Sequence, residues 1–285
     1  MGLSAAGREQ EEVCKPMAYI FALANQKGGV GKTTTAVNLS AFLAQAGFRV
    51  LLVDDDPQGN ATTSLGVAKG SLQSTLYEAL LEQLPLDRVV VPTGRPGLDL
   101  VPANLQLAGA TVELLSIDHR ERRLALALRP CQDLYDFVCI DCPPSLGVLT
   151  VNALVAADGV LVPLQCEYLA MEGLAQLLGT IRRIQAGLNP RLHLIGVLMT
   201  MFDRRTRLSV EIVQEVQRHL PGRVFATLIP RNIRIGEAPS HGRTIWEYDA
   251  SSPGALSYRL LGREFLARVG MALPADQEEE SHVGA

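Results

Sequence analysis

The chain has 285 residues, 47% of them hydrophobic, which is enough for one substantial core, and α/β domains of this size are commonly single. No apolar run reaches the ~18 residues of a membrane span, and the charged opening M-G-L-S-A-A-G-R-E-Q-E-E lacks a signal-peptide core, so a cytoplasmic protein is expected. A net charge of −4 excludes a uniformly basic nucleic-acid binder, and the scattered Cys14, Cys131, Cys139, Cys142 and Cys166 lay out no disulfide framework.

Residues 1–16 are polar and without periodicity, and read as a flexible extension before a domain over residues 17–271. The apolar, β-prone run 19–24 and the amphipathic helical run 34–46 flank N-Q-K-G-G-V-G-K-T-T, which places Gly28, Gly29 and Gly31 on a strand-to-helix turn. Glycines there can take positive φ, aim backbone N–H groups inward and let a polyphosphate approach. The helix start adds its unpaired N–H groups and the positive end of its dipole. Lys32 supplies a point charge for β and γ phosphates, and the Thr33 hydroxyl suits Mg²⁺.

The general phosphate-loop pattern has a glycine five residues before Gly31, where this chain has Gln26 followed by Lys27. K-G-G-V-G-K-T-T, residues 27–34, resembles the deviant Walker A box of the ParA/MinD group of P-loop ATPases. The resemblance implies ATP and Mg²⁺ as cofactors and a nucleotide held by Lys27, Gly28, Gly29, Val30, Gly31, Lys32, Thr33 and Thr34. It also implies a nucleotide-sandwich homodimer in which Lys27 reaches the partner's phosphates and Lys32 acts in cis.

Gly47 reads as the helix C-cap, and R-V-L-L-V-D over 49–54 as a buried parallel strand. That strand delivers D-D-D-P-Q-G-N, residues 54–60, to the sheet edge that carries the phosphate turn. Carboxylates there can hold Mg²⁺ through water or orient an attacking water. The resembled family has D-x-D-P-Q-G-N, with the second aspartate implicated in hydrolysis, which makes Asp56 the catalytic candidate. Asp55 reads as an acidic turn residue.

Residues 71–82 look helical, V-V-V-P and L-D-L-V-P form short strands around T-G-R-P-G, and the Leu- and Ala-rich stretch 105–128 predicts one or two covering helices. The run F-V-C-I-D is then a Walker-B-like strand whose Asp141 can reach the Mg²⁺ shell, and D-C-P-P, residues 141–144, matches the family's D-x-P-P box. Thr33, Asp56 and Asp141 are therefore the candidate metal-shell residues. Cys139 and Cys142 form a C-x-x-C, but their odd separation points them to opposite faces of a strand, as two inert thiols. Strands at 159–164 and 192–200, with a helix after Glu167 between them, continue a βα alternation that means a mostly parallel sheet covered on both faces.

Between residues 181 and 243 eleven arginines face four acidic residues, a local charge of +7 that leaves −11 elsewhere and suggests a polyanion-binding surface. They flank M-F-D-R-R-T-R (201–207), which leads to an amphipathic helix and a strand at 224–229, and P-R-N-I-R-I-G-E-A-P-S-H-G (230–242). These segments resemble T-M-x-D-x-R-T and I-P-R-N-V-R-L-x-E-A-P-S of Soj-type chromosomal ParA proteins. The match implies DNA contacts by Arg205 and Arg234, with Arg204, Arg207, Arg231 and Arg243 as further positions, and Pro230 and Asn232 against the adenine. Little aromatic interleaving means backbone-directed, sequence-tolerant contacts.

Ser252 and Pro253 start a helix that runs to about Gly270, and residues 272–285 form an acidic tail expected to be disordered. A MinD-type membrane end would instead be a basic amphipathic helix. By resemblance the chain is a DNA-segregation ATPase at the nucleoid, non-specifically DNA-bound as an ATP dimer and released by slow hydrolysis that a ParB-type centromere-binding protein stimulates. A MinD-like membrane-positioning ATPase is the alternative. A nitrogenase iron-protein type, which needs a cluster shared between subunits, is a third.

Overall fold

The computed structural model describes residues 17–168 and 170–274, so the expected extension at 1–16, Cys14 and most of the expected tail lie outside the described residues. The apolar runs form strands β1 (Tyr19–Leu23), β2 (Val50–Asp54), β3 (Val91–Arg95), β4 (Leu98–Val101), β5 (Phe137–Asp141), β6 (Gly159–Gln165) and β7 (His193–Thr200). Helices α1 (Lys32–Gln45), α2 (Asn60–Ser64), α3 (Leu76–Leu81), α4 (Leu107–Glu113), α5 (Arg123–Leu128) and α6 (Val148–Ala156) connect the first six strands. Helices α7 (Ala170–Gly187), α8 (Arg207–His219), α9 (Ile233–Glu237), α10 (Ile245–Asp249) and α11 (Pro253–Arg268) complete the chain.

The sheet order is β3-β4-β2-β5-β1-β6-β7, and every neighbouring pair is parallel except the β3–β4 hairpin. A parallel sheet must be buried on both faces, which is why β2 and β5 read as unbroken apolar runs rather than alternating ones. Alternate residues still sort to two cores. Leu51, Val53, Val138 and Ile140 join Leu80, Leu124, Leu154 and Leu177 from α3, α5, α6 and α7 on one face. Val50, Leu52, Phe137 and Cys139 join Leu39, Phe42, Leu261 and Phe265 from α1 and α11 on the other. Cys139 and Cys142 belong to different cores, as their spacing requires. Among the described residues, no helix is long and apolar enough to cross a membrane.

Three expectations are corrected. Helix α1 is not amphipathic: residues 35–43 are all buried, because α11 covers the side turned away from the sheet. The helix expected over 71–82 begins at Leu76, where Thr75 and Glu78 make a capping box. The strand expected at 224–229 does not form. Only isolated bridges join Val224 to Val197 and Pro230 to Phe202, because the backbone N–H groups of Ala226 and Thr227 donate to the Glu264 carboxylate on α11, at 2.8 and 2.9 Å, instead of to a sheet ladder.

Candidate functional site

Connections leave β1 and β5, which are neighbours, toward opposite edges of the sheet, so a crevice opens at their carboxyl ends. Register aligns what faces that crevice: Leu23 and Asp54 both pair with Asp141. The glycine-rich turn leaves β1 there and enters α1 at Lys32, with Gly29 at φ 74° and Gly31 at φ 88°. A side chain in that left-handed region costs roughly 1–2 kcal/mol. Buried Asn25 fixes the turn by donating to the Pro163 carbonyl at 2.7 Å and accepting from the Lys27 N–H at 3.0 Å. From β7, the Thr200 hydroxyl donates to the Val30 carbonyl at 2.8 Å.

The two lysines of the turn differ. Lys32 is buried and donates to the Lys27 carbonyl at 3.0 Å. Burial holds its ammonium below the ordinary lysine range, and the charges of Asp141 and Asp56 partly offset this. Lys27 is exposed, and its ammonium is ion-paired with Glu167, just beyond β6.

The carboxylates also separate by role. Asp54 accepts from the Thr62 N–H at 2.8 Å and the Thr62 hydroxyl at 2.7 Å, and burial pushes its carboxyl up to about 6. It serves to anchor α2. Asp56 is 7% exposed and accepts from the Gln58 N–H at 2.9 Å, an Asx turn that leaves its other oxygen free of that bond. Asp141 is fully buried, with neither carboxylate oxygen hydrogen-bonded among the described residues. Burial and the Asp54 charge raise it well above the carboxylate range, and the Thr33 hydroxyl and Lys32 ammonium act the other way. An orphaned carboxylate beside a hydroxyl fits a hard divalent cation. No group of three acidic, His or Cys side chains among the described residues could cage a metal unaided, so such an ion would take the rest of its ligands from water and phosphate, as Mg²⁺ does.

Asp55 is where the sequence misled. It is not a surface turn residue but fully buried with both oxygens unpartnered, and burial followed by the Asp54, Asp141 and Asp56 charges pushes it up. The signal was present, since Asp55 directly continues a strand that is buried on both faces.

Beside the turn lies a cleft of about 710 Å³, within the range of small-molecule sites. Gly29, Gly31, Thr33 and Thr34 form one wall. The rest comes from residues to which sequence reading gave no role: Asn60, Thr63, Ser64, Lys69, Met201, Gly236, Pro239 and Ser240. Pro230 and Asn232 do not line it; the Asn232 side chain caps α9, accepting from the Ile235 N–H at 3.3 Å. The turn between Asp56 and α2 depends on Gly59, at φ 60°, where an added Cβ would lie 2.6 Å from the Ala103 carbonyl oxygen. Gly59→Ala is therefore expected to cost about 2–4 kcal/mol, a left-handed penalty plus a clash with backbone, read as a lowered denaturant midpoint.

Two arginine-bearing segments meet at the end of β7. Phe202 donates its N–H to the Ile229 carbonyl at 3.0 Å and accepts at 3.1 Å from the Arg231 N–H, so 201–207 and 230–234 lie side by side. Arg205 donates to both Asp203 oxygens, at 2.9 and 2.8 Å. Arg234 pairs with Glu237 at 3.0 Å and Asp249 at 3.5 Å, over the Tyr248 ring. Arg207 pairs with Glu211, while Arg204, Arg231 and Arg243 have no ion pair among the described residues.

A family model described as an AAA domain matches residues 18–194. The chain is 53% identical over 249 residues to the chromosome partitioning protein ParA of Myxococcus xanthus, covering 87% of this chain and 88% of that one. It is 51% identical over 251 residues to the sporulation initiation inhibitor protein Soj of Bacillus subtilis, covering 88% and 99%. Among solved structures, a cobyrinic acid a,c-diamide synthase from Mycobacterium smegmatis with bound ATP analogue and magnesium aligns with TM-score 0.77 and 41% identity, over 90% of this chain and 98% of that one. A putative plasmid partition protein from Borrelia burgdorferi bound to AMPPNP aligns with TM-score 0.76 and 25% identity, over 89% and 100%.

Proposed function

Because this chain belongs to the ParA/Soj family of chromosome-partitioning ATPases, we propose that it is an ATP-operated switch whose nucleotide-bound dimer grips DNA without sequence preference. The observation that carries this reading is the double use of one segment. Residues 230–241 turn Gly236, Pro239 and Ser240 to the cleft and put Arg231 and Arg234 on the surface beside 201–207. A nucleotide in the cleft thus touches the segment that presents the arginines.

In this reading Lys32 holds phosphate in cis, and Thr33 with Asp141 holds Mg²⁺, which neutralises phosphate charge when bound. Asp56 orients the attacking water, and Lys27 completes the partner subunit's site. The cleft presents no arginine among its lining residues, so hydrolysis by the dimer alone is slow and a ParB-type centromere-binding protein sets its timing. Sites of this kind suit a protein that works on the nucleoid.

Duplex titration with ATP, with ADP and without nucleotide tests the whole scheme, with turnover followed in parallel. Tight binding only with ATP is expected; equal binding in all three conditions would remove the switch. Anionic vesicles in place of duplex separate it from a MinD-like membrane role.

The Lys27–Glu167 ion pair competes with dimerisation, since Lys27 must leave Glu167 to reach a partner's phosphate. A half-exposed pair is worth ~0.2–1 kcal/mol, so Glu167→Gln is expected to lower the protein concentration for ATP-dependent dimerisation about threefold. Sedimentation velocity across a dilution series reads this, and an unchanged midpoint would mean that Glu167 exerts no hold.

A further inference from the structure

Of the 26 lysines and arginines in the chain only four are lysine, so cationic surface is built almost wholly from arginine. Lys15 lies outside the described residues. Lys27 and Lys32 belong to the glycine-rich turn, and the remaining one, Lys69, lines the same cleft as Thr33 and Thr34. Lysine rather than arginine is the choice for a compact, mobile point charge.

Lys69 is placed there by the Asp56–Asn60 turn. Its side chain lies across Gly59, where a Cβ would come within 2.7 Å of its Cε, and its ammonium donates to the Gln58 carbonyl. No carboxylate pairs with it among the described residues, unlike Lys27, and it is half-buried, unlike Lys32. A backbone carbonyl satisfies one of the three ammonium donors and none of the charge.

We propose that Lys69 is a third phosphate-binding lysine of this site, exchanging the Gln58 carbonyl for phosphate oxygens when a nucleoside polyphosphate enters the cleft. The proposal rests on the cleft being the nucleotide site. Its consequence is a mechanical link: the residue that senses phosphate is seated on the turn that carries Asp56, so nucleotide charge draws on that turn directly.

The test uses the full chain with Mg²⁺ and the series adenosine, AMP, ADP and ATP, titrated calorimetrically against wild type, Lys69→Met, Lys69→Arg and, as a control, Lys32→Ala. Lys69→Met is expected to weaken ADP and ATP about tenfold, the scale of one partly solvated charge-assisted contact, and to leave adenosine unchanged. Lys69→Arg is expected to recover part of the loss. An equal loss for adenosine and ATP would reduce Lys69 to a clamp on the Gln58 turn, and no loss for any nucleotide would remove it from the site; either overturns the proposal. Nucleotide affinity unchanged by Lys32→Ala would remove the phosphate role of the turn that contributes Gly29, Gly31, Thr33 and Thr34 to the cleft, and the cleft assignment with it, which separates that failure from one confined to Lys69.

Discussion

Lys32→Ala is expected to weaken ATP by at least about a hundredfold while leaving the fold intact. Lys32 is the first residue of α1 and is buried, and a charge-assisted contact to phosphate in so enclosed a place is worth ~3 kcal/mol. Substitutions at buried charged residues are usually ambiguous, because the variant can fail by unfolding. Here the unliganded chain gains little from the charge. Burial already disfavours the Lys32 ammonium, and its one hydrogen bond goes to the carbonyl of Lys27, an exposed residue. The thermal midpoint without nucleotide is therefore expected to be unchanged or slightly higher, whereas the midpoint shift produced by saturating ATP in the wild type disappears. ATP affinity within about threefold of wild type would remove the phosphate assignment for the whole turn.

Whether a feature has local or long-range causes decides what could be read from the sequence. The sheet was legible because a parallel strand buried on both faces leaves an unmistakable apolar run, and the glycine-rich turn because Gly29 and Gly31 need φ values that other residues resist. The order of the motifs was legible too, since βα alternation sends each strand's carboxyl end to one edge. What escaped depended on partners far away in the chain. Residues 224–229 have strand-like composition, and only Glu264, nearly forty residues on, diverts their N–H groups. Lys69 follows the short helix α2 by an irregular connection with no periodicity to aim it, and Ser240 faces the cleft only because residues 230–241 fold back toward α2. Asp55 was legible in principle, as the direct continuation of a strand buried on both faces, but the repeated aspartates disguised an enclosed position as a polar turn.

Arg234→Glu is expected to abolish ATP-dependent DNA binding at physiological salt without changing ATP affinity. If Arg205 and Arg234 of both subunits neutralise four phosphates, log affinity falls with log salt at a slope of up to about −3.6, roughly a hundredfold between 50 and 200 mM. The substitution removes two of those four cations and places two anions where phosphates should lie, so the slope becomes shallower than about −1.8 and the remaining affinity drops with it. The partners in the free chain set how steep the wild-type slope can be. Arg205 is held by Asp203, and Arg234 by Glu237 and Asp249, so each must release a carboxylate before it can take a phosphate. A released carboxylate collects a cation from solution, which cancels part of the counterion gain and makes the slope shallower than −3.6. Arg204, Arg231 and Arg243 carry no such debt among the described residues, and any share they take steepens it. Filter binding at four salt concentrations, with ATP held saturating, therefore reports both how many arginines engage and whether their carboxylates let go. An Arg234→Glu chain that still binds duplex within twofold of wild type would move the interface elsewhere on the surface.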